Sequence, residues 1–276
     1  MVPGNGGGGG DAFADAVNAT ANLAAWWSPN AAAAGDLTDG AVAMPSMGTE
    51  DNPDLLCRVS SVGNWGIVAQ NPGTTPSLTS AVQADEQNTS SSNFCGLDSG
   101  TALSADLNTA LTGGTSNESS GFAIFQNSAA NWNTANYQDV FTFQGDSDSS
   151  STDSGNNQAM KVFFGDADNG QQAFTTPNAL SPQSVAGIAA QRWYFYGWRQ
   201  TSENNFTFYF VQIGDVWANV VETSGGNDHT WHGGLTLGLS TFNNARFQDG
   251  WWWGPLGVFK ADIEEDGLQT IFEAIV

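Results

Sequence analysis

"QRWYFYGWRQTSENNFTFYFVQIGDVW" fills residues 191–217, and its reading decides the fold. Two runs of large aromatic and β-branched residues, 191–200 and 205–214, flank the polar turn "QTSEN" at 200–204. Such side chains suit a pleated, half-buried surface. A two-residue step, Gly214-Asp215, then separates the second run from a third at 216–223. Gly-Asp between strand-like runs is a hairpin signal. The stretch therefore predicts three successive antiparallel strands.

The same texture extends outward in both directions. Short apolar or alternating runs at 55–62, 121–128, 137–144, 159–166, 234–240 and 252–261 are separated by clusters of Gly, Asn, Ser, Asp and Pro. That pattern predicts an all-β sandwich. Low-complexity polar loops lie at 83–93, 113–120 and 144–158. Helical spacing is confined to the ends. "DAFADAVNATANLAA" (11–25) has the Ala content and apolar spacing of a short helix, and "ADIEEDGLQTIFEAIV" closes the chain with Asp262 as a helix cap. Residues 1–10 form a Gly-rich arm. With no internal repeat and no dividing linker, the expected organisation is an arm with a short helix over 1–19 and one domain over 20–276.

Six Lys and Arg stand against 28 Asp and Glu, for a formal net charge of −22. A basic patch for phosphate neutralisation is missing, so nucleic acid is excluded as a partner class, and anionic membrane surfaces with it. Nowhere do 18 apolar residues run together, so no membrane insertion is expected. "MVPGNGGGGGDAFADAV" has neither a basic n-region nor a continuous apolar h-region, so no secretory signal is expected. The N-x-[ST] sites at Asn18, Asn88, Asn117 and Asn205 then have no route to glycosylation. Cys57 and Cys95 are too few for a disulfide scaffold and lack metal spacing, which favours two buried thiols over one late-formed disulfide.

The order of these segments resembles the concanavalin A-like jelly roll, and within it the LamG-like domains. Trp193 leads a strand, and Phe208-Tyr209-Phe210 followed by Gly214-Asp215 resembles the family's aromatic strand and turn. Leu237-Gly238 in "GGLTLGLS" is similar to its Leu-Gly strand signature. Phe247, Gly250 and the helix from Ile263 to Phe272 resemble the closing unit. More loosely, Gly96, Asp98 and Leu103 match the segment before the next strand, and Trp26 or Trp27 the entry aromatic. The resemblance covers roughly residues 20–275. It implies a concanavalin A-like (LamG-like) antiparallel β-sandwich jelly roll with a short C-terminal helix, binding glycans or proteins through loops or a concave face. It does not imply one function.

Laminarinase-type glucanases share this jelly roll and take their paired carboxylates from E-x-D-x-x-E. The nearest approach here, Glu264-Glu265-Asp266-Gly267-Leu268-Gln269, ends in an amide, so no catalytic residue is expected. Calcium is the candidate ion. Asp146 and Asp148 (with Asp153) and Asp166 and Asp168 (with Asn169) supply clustered oxygens, although Gly170 falls one position early for an EF-hand loop. His229 and His232 beside Asp228 are a candidate zinc set.

Among eleven tryptophans most must be core. Trp217, Trp231, Trp251 and Trp253 are the candidate glycan or subunit contacts. On strand alternation Trp251 and Trp253 share one face and Trp252 the other, and Pro255 marks an edge or a bulge. Acidity, Gly/Asn/Ser/Thr richness, the arm and the missing catalytic residues together point to a non-enzymatic bacteriophage surface component: a decoration, head-fibre or tail-associated protein. It would assemble in the host cytoplasm, contact capsid or tail proteins or its own copies, and touch polysaccharide. A carbohydrate-binding module outside any virion is the alternative.

Overall fold

The strand pair that the aromatic stretch predicts is formed. β13 (Trp193–Ser202) and β14 (Asn205–Gln212) run antiparallel, with Trp198 opposite Phe208, Tyr196 opposite Phe210 and Phe195 opposite Val211. The computed structural model describes residues 10–29, 35–47, 52–59, 66–70, 81–85, 95–99, 118–126, 138–145, 158–164, 172–175, 183–185, 192–202, 205–219, 221–225, 231–237, 239–241, 244–245 and 252–275.

Two large sheets follow from this pairing, each antiparallel throughout. One has nine strands in the order β15 (Val221–Gly225), β14, β13, β8 (Ser119–Gln126), β19 (Trp252–Phe259), β6 (Ala81–Asp85), β5 (Gly66–Gln70) and β2 (Gly35–Leu37), with β1 (Leu23–Trp27) also paired to β19. The other has eight, in the order β12 (Gln183–Val185), β11 (Gln172–Thr175), β10 (Gln158–Phe164), β9 (Gln138–Gly145), β16 (Trp231–Leu237), β7 (Cys95–Asp98), β4 (Leu55–Val59) and β3 (Val42–Met44). A small ribbon joins β17 (Leu239–Thr241) to β18 (Asn244–Ala245). The all-β sandwich is therefore present.

Successive side chains on a strand point to opposite faces, and on β13 and β14 both faces are aromatic. Tyr194, Tyr196, Trp198, Phe208 and Phe210 enter the core between the sheets, with Leu55, Cys57, Leu97, Phe141, Leu235 and Leu237 from the eight-stranded sheet. Tyr194 stacks on Phe210 at 4.7 Å and Tyr196 on Phe208 at 6.0 Å. Pairs of this kind contribute about 0.5–1.5 kcal/mol beyond their buried area. Trp198 is seated on Gly121, directly across the ladder, where any Cβ would collide with its indole.

The other parity, Trp193, Phe195, Tyr209 and Val211, joins Phe122, Ile124 and Phe259 in a second core on the outside of the nine-stranded sheet. Two helices close it: α1 (Gly10–Ala19) through Phe13 and Val17, and α2 (Glu264–Glu273) through Leu268, Ile271 and Phe272, followed by Ile275. The 268, 271, 272, 275 spacing is one helical face. Burying side chains of this size stabilises by about 1.5–3 kcal/mol each. That explains a helix whose cap position, Ile263, makes no side-chain cap bond. Asp262 stands one residue earlier, where its carboxylate accepts the Glu264 N–H at 3.0 Å.

Several expectations are corrected here. Helix 11–25 stops at Ala19, because Leu23 to Trp27 are drawn into pairing with β19 as β1; Asn22, at φ 62°, makes the reversal. Within α1, Phe13 packs edge-on against Phe122 at 5.7 Å. The third strand does not begin at 216. After Gln212 the chain turns through Gly214 (φ 95°), forms a 3-10 turn over Trp217–Asn219, and only then enters β15. The reason is Trp217, which the second core takes in.

Candidate functional site

The tryptophan triplet lies in mid-sheet. β19 is flanked by β8 on one side and by β6 and β1 on the other, so it is no edge. The expected irregularity at Pro255 is a bulge: the register with β8 shifts between Trp253 and Leu256. Trp253 is buried between the sheets and donates its indole N–H to the Val140 carbonyl at 3.2 Å. It is a core residue with its polar atom satisfied, which corrects its reading as a glycan or subunit contact. Trp252 pairs with Gln83 and Gln126 in the ladder. Its side chain, and all of Trp251, lie outside the described residues.

Trp217 is corrected in the same way. Its ring is 7% exposed, stacks on Tyr209 at 5.8 Å, and meets Phe195 and Phe272. Its Nε1 donates to Glu265 on α2 at 2.9 Å. A polar chain continues from there. Arg199 donates to the Tyr209 hydroxyl at 3.2 Å and, through Nε and Nη2, to both carboxylate oxygens of Asp262 at 2.6 Å. This fork-to-fork geometry is the strong form of the ion pair. The Asp262 carboxylate, by accepting those bonds, pushes the guanidinium still further above its already basic range. Ser120 adds a tie, donating to the Ala261 carbonyl and accepting the Ile263 N–H. These contacts fasten α2 to the sheet. Sequence reasoning missed them. The available signal was Arg199, a rare cation at an outward strand position of an acidic chain.

The near-match to a glucanase motif, Glu264 to Gln269, is part of α2. There Glu265 holds Trp217, Gln269 bonds Glu273 at 2.6 Å, and Leu268 is buried over Gly197. The segment closes the second core and does not line a cleft between two sheets.

Trp231 opens β16, paired with Gly145 across from it; its side chain lies outside the described residues, as does that of His232. Asp146, Asp148, Asp166, Asp168, His229 and Asp228 lie outside them altogether. Among the described residues no three His, Cys, Asp or Glu side chains gather into a metal-holding group. Cys57 is a buried thiol whose Sγ lies 3.8 Å from the Leu37 carbonyl. Cys57 pairs with Leu97 and Cys95 with Val59. The two cysteines are thus diagonal neighbours, about 7–8 Å apart at Cα, beyond the usual disulfide span.

The nine-stranded sheet is covered on its outer side by α1 and α2 over an aromatic layer.

No protein-family model matches the sequence, and no curated protein sequence does. Solved structures do match by shape. The binding domain of botulinum neurotoxin DC in complex with SialylT superposes with a TM-score of 0.53 at 11% identity, over 93% of this chain and 52% of that one. The botulinum neurotoxin serotype D binding domain gives 0.51 at 11% identity, over 95% and 52%. A mutant of Trypanosoma rangeli sialidase displaying trans-sialidase activity gives 0.51 at 8% identity, over 97% and 38%. The chain thus spans about half the length of the toxin chains it matches. These neighbours are lectin-like β-sandwich folds, and the chain shares that fold.

Proposed function

We propose that the protein is a non-enzymatic surface component of a bacteriophage particle, a LamG-like sandwich that contacts glycans. One observation supports the glycan part: the two-sheet sandwich superposes on a toxin binding domain in complex with SialylT, with a TM-score of 0.53. The virion part is supported by composition. A net charge of −22 keeps exposed particles apart, and a Gly-rich arm suits attachment to capsid or tail proteins or to further copies of the chain. Assembly takes place in the host cytoplasm, and the working location is the particle surface.

Two measurements test this. The purified chain on a glycan array retains a defined subset of glycans, and antibodies raised against it label intact particles. Particles that carry no label remove the virion assignment and leave a free-standing carbohydrate-binding module. An array with no retained glycan removes the lectin assignment.

A further inference from the structure

The two helices over the second core are held in different ways. α2 is tied to the sheet by Arg199 with Asp262, by Trp217 with Glu265, and by Ser120 with the chain at Ala261 and Ile263. It also buries Leu268, Ile271 and Phe272, with Ile275 just beyond it. α1 buries Phe13 and Val17, one turn apart, with Ala14 packed at the margin. Among the described residues its polar bonds stay local. Thr20 donates its hydroxyl to the Ala16 carbonyl at 2.8 Å and its N–H to the Ala16 and Val17 carbonyls. A helix of ten residues is marginal without tertiary packing.

The seat of α1 also carries a cost. Phe13 meets Trp26 edge-on at 6.3 Å, and the Trp26 indole N–H is buried with no acceptor. A buried donor without a partner destabilises the state that buries it, and water satisfies it once the helix lifts. α1 is thus the part of the cover that can open alone, as weakly packed units of native proteins do.

The connection to β1 sets how it opens. Thr20 is bonded back into the helix, while the Asn22 carbonyl accepts the Lys260 N–H at 2.8 Å and so belongs to the sheet. Ala21 between them is exposed and is the swing point. The chain reverses within three residues, 20 to 22, with Asn22 at φ 62° in the left-handed region. Asn bears that conformation better than most residues with a Cβ, but an extended connection does not need it. Short hinge loops under strain invite exchange, between copies, of the element they hold. Exchange preserves the packing of Phe13 and Val17, because the seat on a second copy is identical.

We infer that α1 is an exchangeable latch, which lifts about Ala21 and seats Phe13 and Val17 on the second core of another copy of the chain. Reciprocal exchange yields a symmetric dimer. The inference goes beyond the glycan and virion readings and does not depend on either. A net charge of −22 keeps free copies apart, so exchange proceeds where salt or a common support removes that repulsion.

Hydrogen exchange on the whole chain tests the lifting. The amides of Ala14 to Ala19 should exchange at least about tenfold faster than those of Leu268 to Phe272. Equal protection would mean that α1 does not open alone, and the latch falls. Gel filtration with light scattering tests the exchange, on chain held concentrated in about 1 M salt, where the Debye length is about 3 Å. A dimer should form slowly and survive dilution. Deleting Ala21 should raise the ratio of dimer to monomer at least about tenfold, and inserting a glycine run after Ala21 should lower it as much. Val17→Asp should abolish the dimer. Should the deletion unfold the chain, the parent against the lengthened chain gives the same comparison. A dimer indifferent to hinge length forms through another surface. No dimer from any of these chains means that α1 stays on its own sheet. Either result overturns the exchange.

Discussion

The two cores of the molecule are made by the same rule and closed differently. On β13 and β14 successive side chains go to opposite faces. Tyr194, Tyr196, Trp198, Phe208 and Phe210 enter the core between the sheets, and Trp193, Phe195, Tyr209 and Val211 enter the one outside. The first is closed by a second sheet through Leu55, Leu97, Phe141 and Leu235, the second by two helices through Phe13, Val17, Leu268, Ile271 and Phe272. One aromatic ladder therefore needs two covers of different kinds.

The sharpest way to break this comparison is to truncate one residue in each core. Phe195 is fully buried among Phe122, Trp217 and Phe272. Phe195→Ala should cost about 3–5 kcal/mol in urea unfolding. Phe141→Ala, in the core between the sheets, should cost about as much. A far smaller loss at Phe195 would mean that the helices cover their core less tightly than a sheet does.

The ties that hold the cover come next in size. Arg199→Met removes both bonds to Asp262 and the one to Tyr209. Hydrogen bonds to charged groups contribute about 1.5–3 kcal/mol, and since the pair is only 19% and 15% exposed, little of that is lost to solvent screening. Asp262→Asn should reproduce most of the loss, and the double variant should cost no more than the larger single one. Additive losses would show that the two residues act separately.

Much of this architecture is legible in the sequence. Alternating aromatics at 193–198 and 206–211 state the strands and both of their buried faces. The helix from Ile263 onward is visible in the spacing of Leu268, Ile271 and Phe272. Which face a given tryptophan takes is less visible, because Trp217 and Trp253 go to different cores and only tertiary pairing decides. The tie from Arg199 to Asp262 is legible only as a rare cation, because its partner comes from a separate segment that the tertiary fold alone brings beside it.

The core between the sheets supplies a pH test. Tyr196 is fully buried, and desolvation holds its phenol well above the ordinary value near 10. Below that pH both folded and unfolded chains keep the proton, so the group is neutral to stability. Above it the unfolded chain ionises while the folded one does not, and stability falls by up to about 1.4 kcal/mol per pH unit from this one residue. Denaturant midpoints between neutral pH and the alkaline limb should show the decline, and Tyr196→Phe should flatten it. An unchanged slope in that variant would place the alkaline sensitivity elsewhere.

The smallest effect concerns the seam of the helical cover. Glu264 opens α2 with φ at +60°, in the left-handed region, and its side chain is exposed. For a residue with a Cβ this conformation costs about 1–2 kcal/mol. Glu264→Gly relieves that cost but removes a negative charge from the first helical turn, where such a charge contributes about 0.3–1 kcal/mol. Glu265 and Asp266 remain there, so the lost charge is partly redundant. The relief should win narrowly, raising stability by somewhat less than about 1 kcal/mol. A thermal melt resolves a change of that size. A destabilised variant would mean that the first-turn charge outweighs the strain. It would also mean that the helix is held by its own electrostatics as much as by Arg199, Trp217 and the aromatic layer beneath it.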